Sequence, residues 1–227
     1  MGEARVGVVL PAGGSGLRMG GEAKQFRRLG DAPVLVQSLR AFARHPEVGP
    51  AVVVVPDGEE GPTASMLSAF DIQAAVVAGG ATRQASVANG VAALPEAVSF
   101  VLVHDAVRPF VSADVISRVV AAVREVGAAA AAVPVADTLR RGDGDRFEAT
   151  VDREGLWAMQ TPQAARRDWL LAASALGGEV ATDEVGLLQA AGHTVRIVEG
   201  DSRNLKITRR PDWDLALALW PAWAEGR

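Results

Sequence analysis

No cysteine occurs among the 227 residues, so disulfides, thiolate metal centres and cysteine nucleophiles are excluded. Histidine is nearly as scarce: His45, His104 and His193 lie far apart, which argues against a zinc site. Lysine occurs only as Lys24 and Lys206; every other basic residue is arginine. There is no basic surplus either, and a net charge of -4 excludes a general nucleic-acid binder. No apolar run approaches the ~18 residues of a membrane span, and no basic segment leads into a signal-like core. Aromatics are few at 5%, whereas 49% of the chain is hydrophobic, chiefly Ala, Val and Leu. That balance suits helices alternating with buried parallel strands. The expectation is a single soluble, cytoplasmic domain over 1–227, with no membrane or nucleic-acid partner and no second domain following.

What is present is ordered. Short β-branched or alanine runs at 5–10, 51–55, 73–79, 100–104 and 129–135 alternate with amphipathic segments near 34–44, 62–70, 83–94 and 113–126. Ser112 is placed to cap the last of these, with Asp114 in its first turn. Strands joined by such helices require right-handed crossovers and a largely parallel sheet, hence an α/β fold. Residues 137–156, "DTLRRGDGDRFEATVDREGL", break the pattern with a hairpin tip at "RRGDGDR". A polar ribbon is barely stable alone. It reads either as an arm docked on a second copy of the chain or as a mobile surface loop. Helices near 164–176 and 183–191, a strand at 193–200 and a final helix from about 211, opened by Pro211, complete the chain.

Ligands of open parallel sheets bind at the carboxyl ends of the strands, and four segments converge there: "PAGGSGLRM", "AGGATRQAS", "HDAVRP" and "VADT". The first is a glycine turn that fits neither familiar phosphate motif. A dinucleotide fingerprint from Gly14 would meet Met19 where glycine or alanine is needed, and a P-loop would need lysine where Gly21 follows Gly20. Arg18 and Lys24 flank it instead. Asp105, at the end of an apolar strand, either pairs with Arg108 or faces a cation such as Mg²⁺ carrying substrate phosphates. His104 reads as a core residue; His45 and His193 read as loop residues. In "GGATRQASVANG", Gly80 and Ser86 could face a base, or Thr82 could simply cap a helix. No serine elbow or triad exists, so the charged groups favour phosphoryl or nucleotidyl transfer, which needs positioning and charge neutralisation rather than a protein nucleophile. The two lysines are either chance survivors or sites requiring a compact ammonium.

The segments "PAGGSGLRMGGEAKQF", "GGATRQASV", "VLVHDAVRPF", "PVADTL", "TVDREGLWAMQTPQ", "ATDE" and "RNLKITRRPDWDLA", in order from residue 6 to about 217, resemble the 2-C-methyl-D-erythritol 4-phosphate cytidylyltransferase family. The resemblance implies a Rossmann-like nucleotidyltransferase fold and a homodimer joined by the arm. It implies transfer of a cytidylyl group from CTP to the polyol phosphate, releasing pyrophosphate, with Mg²⁺. Carried to matching positions, Arg18 and Lys24 look like transition-state stabilisers, and Asp105 like the metal ligand. Ala12, Gly13, Gly14, Gly80 and Ser86 look like the CTP cradle, and Arg83, Ala106 and Arg108 like further substrate-binding residues. Arg153 and Lys206 look like holders of the acceptor phosphate, Arg153 reaching the partner's site, and Thr138, Thr161 and Thr182 like further substrate contacts. Phe26, Val107 and Ala81 depart from the family's commoner tyrosine, alanine and acidic residue. A ribitol 5-phosphate cytidylyltransferase would share most of these motifs. A dinucleotide oxidoreductase would need a ribose-binding carboxylate, and Asp31 near that spacing lies in a turn. A nucleotide sensor would bind CTP without releasing pyrophosphate.

Overall fold

In the computed structural model, which describes residues 5–14, 23–176 and 181–226, side chains alternate across β1 (Arg5–Pro11): Val6, Val8 and Leu10 enter one core cluster and Val9 another. Both faces of the strand are therefore covered. Its neighbours are β4 (Val48–Val55) and β6 (Val98–Val103), each parallel to it. Beyond β4 lies β5 (Ala75–Ala78). On the other side the sheet continues through β10 (Trp157–Arg166), β7 (Ala128–Pro134) and β11 (Arg196–Glu199), giving the order β11-β7-β10-β6-β1-β4-β5. Only β10 runs antiparallel within it. The chain moves outward from β1 through β4 and β5, then resumes on the opposite side at β6. This makes the β1/β6 boundary the switch point of a doubly wound sheet.

Helices α1 (Val34–Ala43), α2 (Glu60–Ser68) and α4 (Ala113–Val126) pack on one face; α3 (Arg83–Ala93), α5 (Arg167–Ala175) and α6 (Glu184–Ala190) cover the other. The Ser112 hydroxyl accepts the Val115 N–H at 3.3 Å, the cap the sequence led us to expect. Gly90 allows α3 its close approach, since a Cβ there would lie 2.5 Å from Val9 and 2.7 Å from Val54. A third cluster, including Phe110, Ile207 and Trp213, seats α7 (Arg210–Glu225) on the short hairpin β2 (Arg28–Leu29) and β3 (Ala32–Pro33).

One expectation fails here. Residues 164–166 belong to strand β10, and the helix begins at Arg167. Gln160 to Ala165 are buried without a break between β6 and β7, so sandwiching within the sheet overrides the helical preference of the alanines. The arm is a separate antiparallel pair, β8 (Leu139–Asp143) and β9 (Arg146–Val151), turning at Gly144 with φ +57°. Arg153 lies just past this return strand rather than on it.

Candidate active site

The carboxyl ends of β1, β4, β5 and β6 surround a cleft of about 730 Å³. Ala12, Gly13 and Gly14 form one lip, and Gly79 to Arg83 another. Asp105 and Ala106 lie on the floor, with Lys24 and Lys206 on the remaining walls. The structure thus brings both lysines of the chain into one site. Arg18 falls outside the described residues.

At the first lip, the Ala12 N–H continues the sheet by donating to Val54 O at 2.7 Å. Among the described residues, nothing lies within 4 Å of a Cβ built on Gly13 or Gly14. The turn is held by Gln25, which is 2% exposed and donates through Nε2 to Ala12 O at 2.7 Å and Gly14 O at 3.1 Å. At the second lip Thr82 caps α3, its hydroxyl accepting the Ala85 N–H at 3.0 Å. Ser86 Oγ accepts the Gly80 N–H at 3.1 Å and lies 2.9 Å from Thr82 O. Gly80 is required by space: a Cβ would stand 2.5 Å from that of Ala85.

Asp105 both pairs with Arg108 and faces the cleft. Its Oδ2 lies 3.2 Å from Arg108 Nε and 2.9 Å from Lys206 Nζ, and Oδ1 lies 3.8 Å from Arg83. Burial pushes this carboxyl's pKa upward, but Lys206, Arg108 and Arg83 outweigh that and hold it at about 2. It is ionised at any working pH. Arg83 in turn is gripped by Glu184 through both nitrogens, at 2.7 and 3.0 Å. Arg83 is desolvated, yet Glu184 and Asp105 keep its pKa raised, so the guanidinium stays charged.

Behind Asp105 the protons can be assigned. His104 Nε2 lies 3.0 Å from Arg108 O and must donate to it, because a carbonyl only accepts. Nδ1 is then the acceptor for the Thr161 hydroxyl at 2.9 Å, and the same hydroxyl accepts the Asp105 N–H at 3.1 Å. Burial depresses the His104 pKa to about 4, keeping the ring neutral. Thr161 is 4% exposed and its hydroxyl is committed to this network; it supports Asp105 from beneath. Arg108 is likewise buried, donating to Asn204 O at 2.7 Å as well as to Asp105.

His104 is core, as its sequence setting suggested; His45 is in a loop but buried, 2.9 Å from Ser117 Oγ. Thr138, Arg153 and Thr182 are exposed and do not line the cleft, and Arg153 donates to Ala136 O at the base of the arm. Sequence reasoning missed Gln25, Glu184 and Asn204. Adjacency to Lys24, and membership in "ATDE" and "RNLKIT", were the available signals.

Among the described residues no three His, Asp or Glu side chains cluster to cage a metal. Cations and bare backbone gathered at the switch point of a doubly wound sheet suit a site that orients phosphates and neutralises their charge. Residues 6–220 match the family model for IspD, 2-C-methyl-D-erythritol 4-phosphate cytidylyltransferase. The protein of that name from Salinibacter ruber is 52% identical over 96% of this chain and 94% of its own length. Its counterpart from Bacillus velezensis is 40% identical over 95% of each. The crystal structure of the Thermus thermophilus cytidylyltransferase superposes with a TM-score of 0.82 at 37% identity, covering 96% of this chain and 99% of that one. The chain belongs to the 2-C-methyl-D-erythritol 4-phosphate cytidylyltransferase family.

Proposed function

We propose that the cleft binds CTP and transfers its cytidylyl group to 2-C-methyl-D-erythritol 4-phosphate. The observation that carries this reading is the meeting of Lys24, Lys206 and Asp105 around an open glycine turn. A phosphate oxygen of the acceptor attacks the α-phosphorus of CTP; the new P–O bond forms as the bond to the β-phosphate oxygen breaks, and pyrophosphate leaves. Gly13 and Gly14 let the triphosphate approach the backbone, while the ammonium of Lys24, with Arg18, neutralises charge on the phosphates as it shifts toward the leaving group. Gly80, Ser86 and Ala106 line the base and ribose side. Arg83 stays charged at the cleft wall, and Arg108 holds the Asp105 carboxylate in place.

A single ionised carboxylate suits Mg²⁺, which is held through one or two carboxylates plus substrate phosphates and water, so Asp105 would be its protein ligand. The ion would supply further charge neutralisation on the triphosphate. Lys206, beside Asp105, holds the acceptor phosphate.

Arg153 completes that acceptor site from the partner subunit of a homodimer. Support comes from Phe147, 84% exposed on a ribbon that pairs with no other strand among the described residues, and from Leu156, Trp157 and Met159, which are also exposed. Thr138 and Thr182 contact substrate in that assembly, and Thr161 acts through Asp105. No helix among the described residues is long and apolar enough to cross a membrane, and we place the enzyme in the cytoplasm. Pyrophosphate release from CTP and Mg²⁺ with each alcohol phosphate tests the reading. Release dependent on methylerythritol phosphate is expected. Release with ribitol 5-phosphate alone would move the substrate, and silence with both, in a protein that binds CTP, would overturn the reaction.

A further inference from the structure

We propose that Gln25 is a positioning residue that sets the spacing between the glycine turn and Lys24, and so fixes the triphosphate subsite before nucleotide arrives. This rests on the assignment of the cleft to CTP. Gln25 sits in a single 3-10 turn, Lys24–Phe26, where it borders the cleft beside Lys24 while Phe26 packs against the core. Its side chain turns inward and is almost wholly buried. The orientation of the amide is settled by its surroundings: the group facing Ala12 O and Gly14 O must be the NH₂, because two carbonyls can only accept.

Each hydrogen of that NH₂ is thereby used, and the two bonds tie Gln25 to backbone 13 and 11 residues earlier in the sequence. The two acceptors flank Gly13. Holding both carbonyls toward the interior leaves that stretch of turn open to the cleft, where a phosphate can reach its backbone. Because Lys24 precedes Gln25 directly, the same anchor sets where the ammonium stands relative to the turn.

The opposite end of the amide argues that this is more than packing. Gln25 Oε1 is buried and has no hydrogen-bond partner among the described residues. A buried acceptor left unpaired is costly, and an apolar residue of similar length would avoid that cost. The donor end is what the position retains.

The test compares the parent protein with Gln25→Met, which keeps the length and loses both donors, and Gln25→Asn, whose amide is one methylene short of spanning both carbonyls. CTP binding is measured by calorimetry with Mg²⁺ and no acceptor, and the KM for the alcohol phosphate is measured separately. We expect the Kd for CTP to rise by about tenfold or more in both variants, the scale of one well-placed hydrogen bond lost from a preorganised site. The KM for the acceptor should stay within about twofold. Folded variants that bind CTP like the parent would overturn the proposal, as would equal losses for both substrates. Failure of both variants to fold would make Gln25 a folding residue and overturn it too. A parent protein that binds no CTP would instead remove the functional assignment beneath it.

Discussion

Acidification should weaken this fold through His104 before it reaches the Asp105 carboxylate. The ring is fully buried, neutral, and held at both nitrogens by Arg108 O and Thr161. Its pKa is about 4 against 6.5 for the free side chain. The folded value is the lower one, so between those limits the unfolded chain takes up the proton and the folded chain does not. Stability from this group is intact above pH 6.5 and is lost as pH falls toward 4. About two and a half pH units at roughly 1.36 kcal/mol each give a total near 3 kcal/mol, of which about 2 kcal/mol is lost between pH 7.5 and 5.0. Asp105 adds its own loss only lower, as pH falls from 3.8 toward 2. Urea unfolding of the parent and of His104→Gln at pH 7.5, 6.0 and 5.0 measures the difference directly. The variant starts less stable, since it loses the ring packed 4.8 Å from Phe42, but its pH slope should be flatter by about 2 kcal/mol over that range. Parallel slopes would refute the reasoning, because they would mean that His104 is charged in the native state or that its burial has no thermodynamic weight.

Lys24→Ala should cut kcat severely while CTP affinity falls only modestly, measured by single-turnover kinetics beside calorimetry; equal losses would show that Lys24 binds the ground state as strongly as the transition state. Arg153→Ala should raise the KM for the alcohol phosphate, and mixing it with Lys24→Ala should restore some activity through hybrid dimers. No rescue after proven subunit exchange would return Arg153 to its own subunit. Glu184→Ala leaves the Arg83 guanidinium with only the more distant Asp105 as an acidic partner among the described residues, and because the Arg83 side chain is 30% exposed the cost should fall below the roughly 3–5 kcal/mol of breaking a fully buried pair. Thermal and urea unfolding read that cost, and a loss at or above the upper figure would mean that the cleft shields Arg83 from water.

The strands that carry the site were legible because each is an apolar run ending abruptly in glycine or a polar residue, as at "VGVVLPAGG" and "FVLVHDA". The two lysines stood out by rarity, and the structure places both at the cleft. β10 was not legible. "QTPQAAR" holds amides and alanines with no period of two, and its burial comes from β6 and β7 beside it and from the helices on its two faces, which the local sequence does not reveal. Glu184 and Asn204 were hidden for a related reason. Each matters through a partner far away in sequence: Glu184 grips Arg83 across 101 residues, and the Asn204 carbonyl receives Arg108 across 96. A buried clamp of that kind has no local signature. Thr161 was noticed for its motif, but the direction of its hydroxyl is a property of the assembled sheet.

Lys206 and the Asn204 carbonyl both come from the segment between β11 and α7, and they close the Asp105 centre around Arg108. A ribosome delivers that segment only after all seven strands of the sheet. The earlier strands can already pair while the chain is growing, but Asp105 then lacks the ammonium at its side and Arg108 lacks one of its acceptors. Order along the chain is therefore order in time: a growing chain can hold the sheet before the Asp105 cluster has all of its partners.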